Sequence, residues 1–470
     1  MIKSNNIIWN NIRKSSNFKI KNYILQNEEE PMDSMPLKSC NNIKIISFIE
    51  NLSKYENDNT LKTEIILNNT KKFENSSNFK KAVKAKKKIK VSKNRRVTSA
   101  TCLERRREKK LKLCNNDLNL EEFFPRKTLH KKSFPGIKGL INIGATCYMN
   151  ATLQCFSNLI RFRAQLLSKE NYQNLEKNKF KTKKLSFALA EVLNNLWEKL
   201  EQRFYAPENF KKVISEMNPL FKGIAANDPK DLILFLLEGM HKEMNNPRNE
   251  IIINKIQNDT NLNEVYYNFV NYYTNKNNSI ISDEFYGFIN NYTICGCCNV
   301  KIHNVQITNI LFFPLEEVKK FKNYKHNNVR ILDCFEYYEK MDIYSPFYCN
   351  YCKRTCQAYS GNKIIFSPKT LIINLNRGKG LEFDVNIIFE EYLNLRKFIF
   401  LKDSPYYYEL TGIISHFGSN DEGGHFIAYC KNSENCEWYK YNDQIVSKCN
   451  FNEVKENGLH YTLFYNFIQT

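Results

Sequence analysis

The hydrophobic period of this chain changes once, near Ser282, and that change sets its fold class. Before it, apolar residues recur at helical spacing. Met149, Leu153, Phe156 and Ile160 share one stripe of a helix expected over residues 147–164, with Thr146 as its N-cap. Leu185, Leu189, Leu193, Leu196 and Leu200 share another, over 185–204. Ala206-Pro207-Glu208 starts a third helix, Asp228-Pro229 a fourth, and a further one is expected near 265–273. After Ser282 the chain turns to β-rich runs at 305–313, 370–375, 385–389, 408–414, 425–430 and 461–465. Helices first and antiparallel strands later imply an α+β architecture with a cleft between the two halves.

Residues 1–130 read differently. They carry scattered Asn, Ser, Lys and Glu without a sustained apolar period, so they are expected to be mostly disordered apart from short helices. Within them, residues 80–112 hold sixteen Lys and Arg against Glu104 and Glu108, about two-thirds of the net charge of +21. Such a basic arm suits a nuclear-import receptor or nucleic acid, and equally a solvated linker, since it lacks aromatics for base stacking. Phe134-Pro135-Gly136 punctuates the boundary, and a globular domain is expected over 136–470. The chain has no run of about eighteen apolar residues, so no membrane association is expected. Its fifteen cysteines lie in a long, Lys/Asn-rich chain without a secretory leader. They therefore read as thiols, metal ligands or a nucleophile in a reducing compartment, the nucleus or cytoplasm.

One cysteine is singled out by its setting. Cys147 follows Gly144-Ala145-Thr146 and opens a helix, where the dipole and free backbone N–H groups favour a thiolate. Far downstream, His425 follows Gly423-Gly424 and begins a strand, and Asn442 and Asp443 end another. A histidine can take the thiol proton and later protonate a leaving amine. Either the Asn442 carbonyl or the Asp443 carboxylate can hold its ring. Asn142, five residues before Cys147, can donate its amide to an oxyanion or serve only the turn.

A second cysteine pattern stands apart. Cys295 with Cys298, and Cys349 with Cys352, form two C-x-x-C knuckles about fifty residues apart, a spacing that suits a closed tetrahedral Zn²⁺ site. Cys297 and Cys356 fall outside the pattern.

With these residues in hand, the chain resembles the ubiquitin-specific protease (ubiquitin carboxyl-terminal hydrolase) family of papain-like cysteine deubiquitinases. Gly139-Leu140 through Gln154 is similar to that family's cysteine box. The segments 408–426, 438–446 and Tyr461-Thr462-Leu463-Phe464-Tyr465 are similar to its histidine box. The resemblance implies a helical thumb, a β-rich palm and zinc-bearing β fingers that grip ubiquitin. It implies thiol-dependent hydrolysis of isopeptide or peptide bonds at the C-terminal glycine of ubiquitin, on ubiquitin and ubiquitinated proteins. By matching positions it assigns Cys147, His425 and Asn442 as the triad, Asn142 as oxyanion donor and Asp443 as acidic neighbour. Asp228 matches an aspartate that contacts ubiquitin's basic tail, and Cys295, Cys298, Cys349 and Cys352 match the structural zinc ligands. Two segments depart from the pattern: Ala226-Asn227-Asp228-Pro229-Lys230-Asp231 lacks the usual glutamines, and Asn374-Leu375-Asn376-Arg377-Gly378 keeps only the arginine of its strand. Two other readings accommodate the same residues, a protease for another ubiquitin-like modifier and an inactive ubiquitin-binding scaffold.

Overall fold

The computed structural model describes residues 23–27, 43–45, 134–199, 202–248, 261–378, 384–418, 424–456 and 458–468. The basic arm at 80–112 lies outside the described residues.

The helical half is built around Cys147–Ser157. Every residue of this helix is buried, so the single stripe read from the sequence understates its packing. It lies against the helices Lys184–Trp197 and Pro229–Met244 on one side and the strands Tyr407–Phe417 and His425–Lys431 on the other. It stops earlier than the expected residue 164. The Asn158 side chain donates to the Gln154 carbonyl at 2.9 Å, and Leu159 is extended. A side-chain amide that competes for a helical carbonyl favours termination. A separate helix, Ile160–Leu166, then begins, and Ile160 is exposed rather than on the stripe.

The helix expected over 185–204 spans Lys184–Trp197, and Leu200 lies outside the described residues. The buried Lys138 ammonium closes its C-terminal end, donating to the Asn195 carbonyl at 2.8 Å and to that of Lys199. Phe204–Tyr205 instead forms a short parallel pair with Gly139–Leu140. The remaining helices, Glu208–Met217, Pro229–Met244 and Leu262–Lys276, fall where the sequence places them.

The β half contains two large sheets. In the eight-stranded one, Ile445–Cys449, Trp438–Asn442, His425–Lys431, Tyr407–Phe417, Leu459–Phe467, Thr370–Asn376 and Leu311–Pro314 are neighbours in that order, and Tyr392–Asn394 pairs with Tyr407–Phe417. Both faces are covered. Ile372, Ile414, Ala428, Cys430 and Phe464 face the core shared with the helices. Their alternates Leu371, Ile373, Ile413, Ile427, Tyr429, Leu463 and Tyr465 belong to a second core. Leu315–Lys322 and Ile331–Tyr338, helices that the sequence reading did not expect, supply residues to this second core.

The six-stranded sheet orders Ile43–Ile45, Tyr23–Asn27, Lys301–Thr308, Gly287–Cys295, Thr355–Phe366 and Asp342–Tyr348. Two N-terminal segments are thus strands by their backbone pairing, not helices. The apolar run at 305–313 divides between the sheets, because Thr308 turns the chain by donating its hydroxyl to the Ile310 carbonyl at 2.9 Å. Among the described residues, no helix is long and apolar enough to cross a membrane.

Candidate active site and metal centre

The loop before Cys147 is held from within. The Asn142 Oδ1 accepts from the backbone N–H groups of Gly144 (3.2 Å) and Thr146 (3.0 Å) and from the Thr146 hydroxyl (3.2 Å). Ala145 sits at φ 47°, a left-handed conformation unusual for a residue with a Cβ. This turn delivers Cys147 to the first helical position, almost fully buried at 5% exposure. Thr146 precedes the helix as expected, but its side chain does not cap it. Its Oγ1 serves the loop, accepting from the Ile143 N–H at 3.0 Å.

Cys147 lies to one side of His425 and favours its charged form. On the other, its Nε2 donates to the Asn442 Oδ1 at 2.7 Å. That bond directs Nε2 to the asparagine and leaves Nδ1 for the thiol. The contact with Cys147, opposed by partial burial and aided by Asn442 and the Asp443 charge, raises the imidazole to about 9. The ring is therefore an imidazolium at neutral pH, able to pair with a thiolate.

The two candidates for orienting His425 separate here. Asn442 makes the hydrogen bond, whereas the Asp443 Oδ2 lies 3.9 Å from Nε2. The Asp443 carboxylate is occupied elsewhere, accepting from Asn142 Nδ2 at 2.9 Å and from Asn150 Nδ2 at 2.8 Å. Its backbone carbonyl accepts from the Leu140 N–H at 2.9 Å. Asp443 thus ties the histidine side of the cleft to the cysteine loop and to the Cys147–Ser157 helix. Gly139 allows this seam to close, since a Cβ there would stand 2.3 Å from the Gln444 carbonyl oxygen. Asn150, buried one helical turn after Cys147, was not singled out by sequence reasoning. Its signal was only helical spacing, i to i+3 from the nucleophile.

These roles predict different losses. Asn442→Ala should leave KM nearly unchanged and lower kcat, because only the ring orientation is lost. Asp443→Ala should also lower the melting temperature, because it removes the charged bonds from Asn142 and Asn150 that tie the two sides of the cleft together. Steady-state kinetics paired with thermal denaturation of both variants checks this.

A second histidine, His416, packs edge-on to Phe426 with ring centroids 4.9 Å apart. Its ring fills the space where a Cβ on Gly424 would fall, which accounts for the glycine before His425. Burial, then the nearby His425 charge, lower His416 below the usual imidazole range, so it stays neutral beside the imidazolium.

Asp228 has two structural duties. It caps Pro229–Met244 by accepting from the Lys230 N–H at 2.8 Å, and it accepts from the Tyr461 hydroxyl at 2.5 Å. Pro229 costs no hydrogen bond at the first helical position. The Lys230 ammonium lies 3.5 Å from Asp228 and 3.6 Å from Asp231. Next to it, Asn227 donates to the Tyr148 hydroxyl at 3.3 Å, which joins this helix start to the nucleophile helix.

In the six-stranded sheet, the sulfurs of Cys295, Cys298, Cys349 and Cys352 all lie within 4.8 Å of one another. Cys295 and Cys352 are 3.9 Å apart, and Cys298 and Cys349 3.7 Å. A tetrahedral ion with metal–sulfur bonds of about 2.3 Å needs sulfurs about 3.8 Å apart, so the donor set fits a thiophilic metal. Cys356 stands closer than its place outside the motif suggested, with its Sγ 3.3 Å from that of Cys295.

The ubiquitin carboxyl-terminal hydrolase family model matches residues 138–465. The chain belongs to that family. Among similar curated proteins, ubiquitin carboxyl-terminal hydrolase 2 of Bos taurus is 27% identical over 357 residues, covering 72% of this chain and 56% of its own length. Ubiquitin carboxyl-terminal hydrolase 21 of Homo sapiens is 25% identical, covering 71% of this chain and 62% of its own length. The chain therefore spans little more than half of the first of these relatives. Two solved structures share the fold. One is a SAGA Ubp8/Sgf11/Sus1/Sgf73 DUB module bound to monoubiquitin (TM-score 0.55, 24% identity, covering 74% of this chain and 73% of that one). The other is the same module bound to ubiquitin aldehyde (TM-score 0.54, 23% identity, 74% of each chain). The helical half, the eight-stranded sheet and the six-stranded sheet are accordingly the thumb, palm and fingers expected from the sequence.

Proposed function

We propose that this protein is a cysteine-type deubiquitinase, a thiol protease that hydrolyses the isopeptide or peptide bond after the C-terminal glycine of ubiquitin. The observation that carries the reading is His425 set between Cys147, which favours its charged form, and Asn442, which accepts its hydrogen bond, at the junction of thumb and palm. His425 takes the Cys147 proton, and the sulfur attacks the carbonyl carbon. Negative charge develops on the carbonyl oxygen. The Asn142 Nδ2 has one hydrogen on Asp443 and a second to offer it, together with the free first-turn amides of the helix. As the tetrahedral intermediate collapses, His425 gives its proton to the leaving lysine amine. Water then enters with His425 as base and releases ubiquitin's carboxylate.

The four clustered cysteines would hold Zn²⁺ as a structural ion with no open position for water. Asp228, on the thumb beside Tyr148 and Tyr461, is the proposed contact for ubiquitin's basic tail, with Lys230 partly offsetting its charge. The basic arm supports a place in the nucleus or cytoplasm, with an import receptor or nucleic acid as its partner. Deleting residues 80–112 is expected to redistribute the protein between these compartments in cells, as imaging of a tagged chain would read.

Reaction with a ubiquitin probe carrying a C-terminal electrophile tests the activity. Wild-type protein should gain the mass of one ubiquitin, and Cys147→Ala should gain none. Labelling of wild type only by probes built on another ubiquitin-like modifier would reassign the substrate. Capture of ubiquitin without labelling would indicate a binding scaffold.

A further inference from the structure

Cys356 is a fifth thiol beside a four-thiol metal set, and the ligand that it touches is fully buried. Its sulfur is 3.3 Å from that of Cys295, closer than any sulfur pair quoted within the set itself. Cys295 is fully buried at the end of Gly287–Cys295, while Cys356 is partly open to solvent near the start of Thr355–Phe366. The two strands are hydrogen-bonded neighbours, with Cys295 opposite Ala358, so Cys356 approaches from the diagonal position. The backbone bond from Gly296 N–H to the Gln357 carbonyl at 2.9 Å clamps the strands beside the pair. A solvent-facing thiol is thus fixed in contact with a metal-binding sulfur that solvent cannot reach.

We propose that Cys356 is an oxidative modification site through which peroxide releases the metal of the fingers. This rests on the zinc reading given above. In the first step, hydrogen peroxide transfers oxygen to the Cys356 sulfur, giving a sulfenic acid and one water. In the second, the Cys295 sulfur attacks the Cys356 sulfur. The lone pair that bound the metal becomes the S–S bond, and hydroxide leaves and is protonated to a second water. Two thiols have lost two electrons and one peroxide has gained them. Three sulfurs remain around the ion, and a three-ligand site holds zinc far less tightly.

The test uses the full chain carrying Cys147→Ala, which removes the active-site thiol as a competing target. Zinc content is measured first, then hydrogen peroxide is added, zinc release is followed with a chromogenic chelator, and disulfides are mapped by peptide mass spectrometry. Expected are release of an equimolar amount of zinc, a Cys295–Cys356 linked peptide, and rebinding after reduction. Adding Cys356→Ser should slow release several-fold without lowering the zinc content of untreated protein. Equal release with and without Cys356, or linkage only between other cysteines, overturns the proposal while leaving the zinc reading intact. Protein that contains no zinc before treatment overturns both.

Discussion

His425→Gln is expected to lower kcat for hydrolysis of a ubiquitin C-terminal amide about 10⁴-fold, with little change in KM. The reason lies in the two neighbours of the ring. With Cys147 on one side and Asn442 on the other, it stabilises the thiolate and is oriented to return a proton to the departing amine. Glutamine can keep one hydrogen bond but can neither carry the charge nor move the proton. The same ring sets the alkaline limit of the wild-type enzyme. Its pKa is raised to about 9, so the imidazolium persists through neutral pH and is lost as pH rises through that value. kcat/KM on a lysine isopeptide should fall there, because a basic amine leaves poorly without a proton. The sign for stability is the same. A histidine whose folded pKa is raised contributes stability that is fully present below its unfolded value, near 6.5, and lost as pH rises to about 9. Urea denaturation across that range should show the loss in wild type and a flatter profile in His425→Gln. Kinetics with an alkaline limb unchanged by the substitution would disprove the assignment.

Much of this site is legible in the sequence, and the reasons are local. A glycine-bearing turn before a helix, a histidine after two glycines and paired C-x-x-C knuckles are each written over a few consecutive residues. What escapes is set by contacts between distant segments. Asn150 and Asp443 lie far apart in the chain, and only the folded seam shows that one holds the other. Asp443 was expected beside the histidine and is there, but its carboxylate braces the cleft instead of orienting the ring. The helix at 147–157 reads as amphipathic because its polar residues are present. Those residues, Asn150, Thr152 and Gln154, are buried, and the donor group of each reaches a backbone carbonyl. Asp342–Tyr348 escaped as a strand because it is an edge strand, almost wholly exposed, with no alternation for periodicity to detect. The run at 305–313 is β throughout, yet period alone does not say that its two parts belong to different sheets.

Cys349→Ser is expected to unfold the distal fingers while the core around Cys147 stays folded. The apolar cluster at the cysteines is very small: Cys295, Val300 and Cys349 are its buried members, with Ile302, Phe347, Tyr351, Cys352 and Cys356 partly buried around it. Burying a side chain contributes only about 1.5–3 kcal/mol. Ordering each residue costs about 1–2 kcal/mol in backbone entropy alone. Three buried residues cannot offset that cost across two knuckles and their turns. A structural zinc ion can, since its binding in small zinc-folded peptides reaches about 10–16 kcal/mol. The helix at 147–157 packs in a separate and far larger core, so it should not follow the fingers if a bound metal is removed. Hydrogen exchange should therefore accelerate at 295–302 and 347–356 in Cys349→Ser, or after chelation, and remain slow at 147–157 and 425–431. Kinetics should split in the same way. Hydrolysis of a short peptide ending in ubiquitin's C-terminal residues should persist, because it needs only the cleft. Hydrolysis of full-length ubiquitin amide should show a raised KM, because the fingers proposed to grip its body would be loose. Unchanged protection at the knuckles after complete metal removal would mean that the strand pairing alone holds the fingers, and that the four cysteines have no structural role.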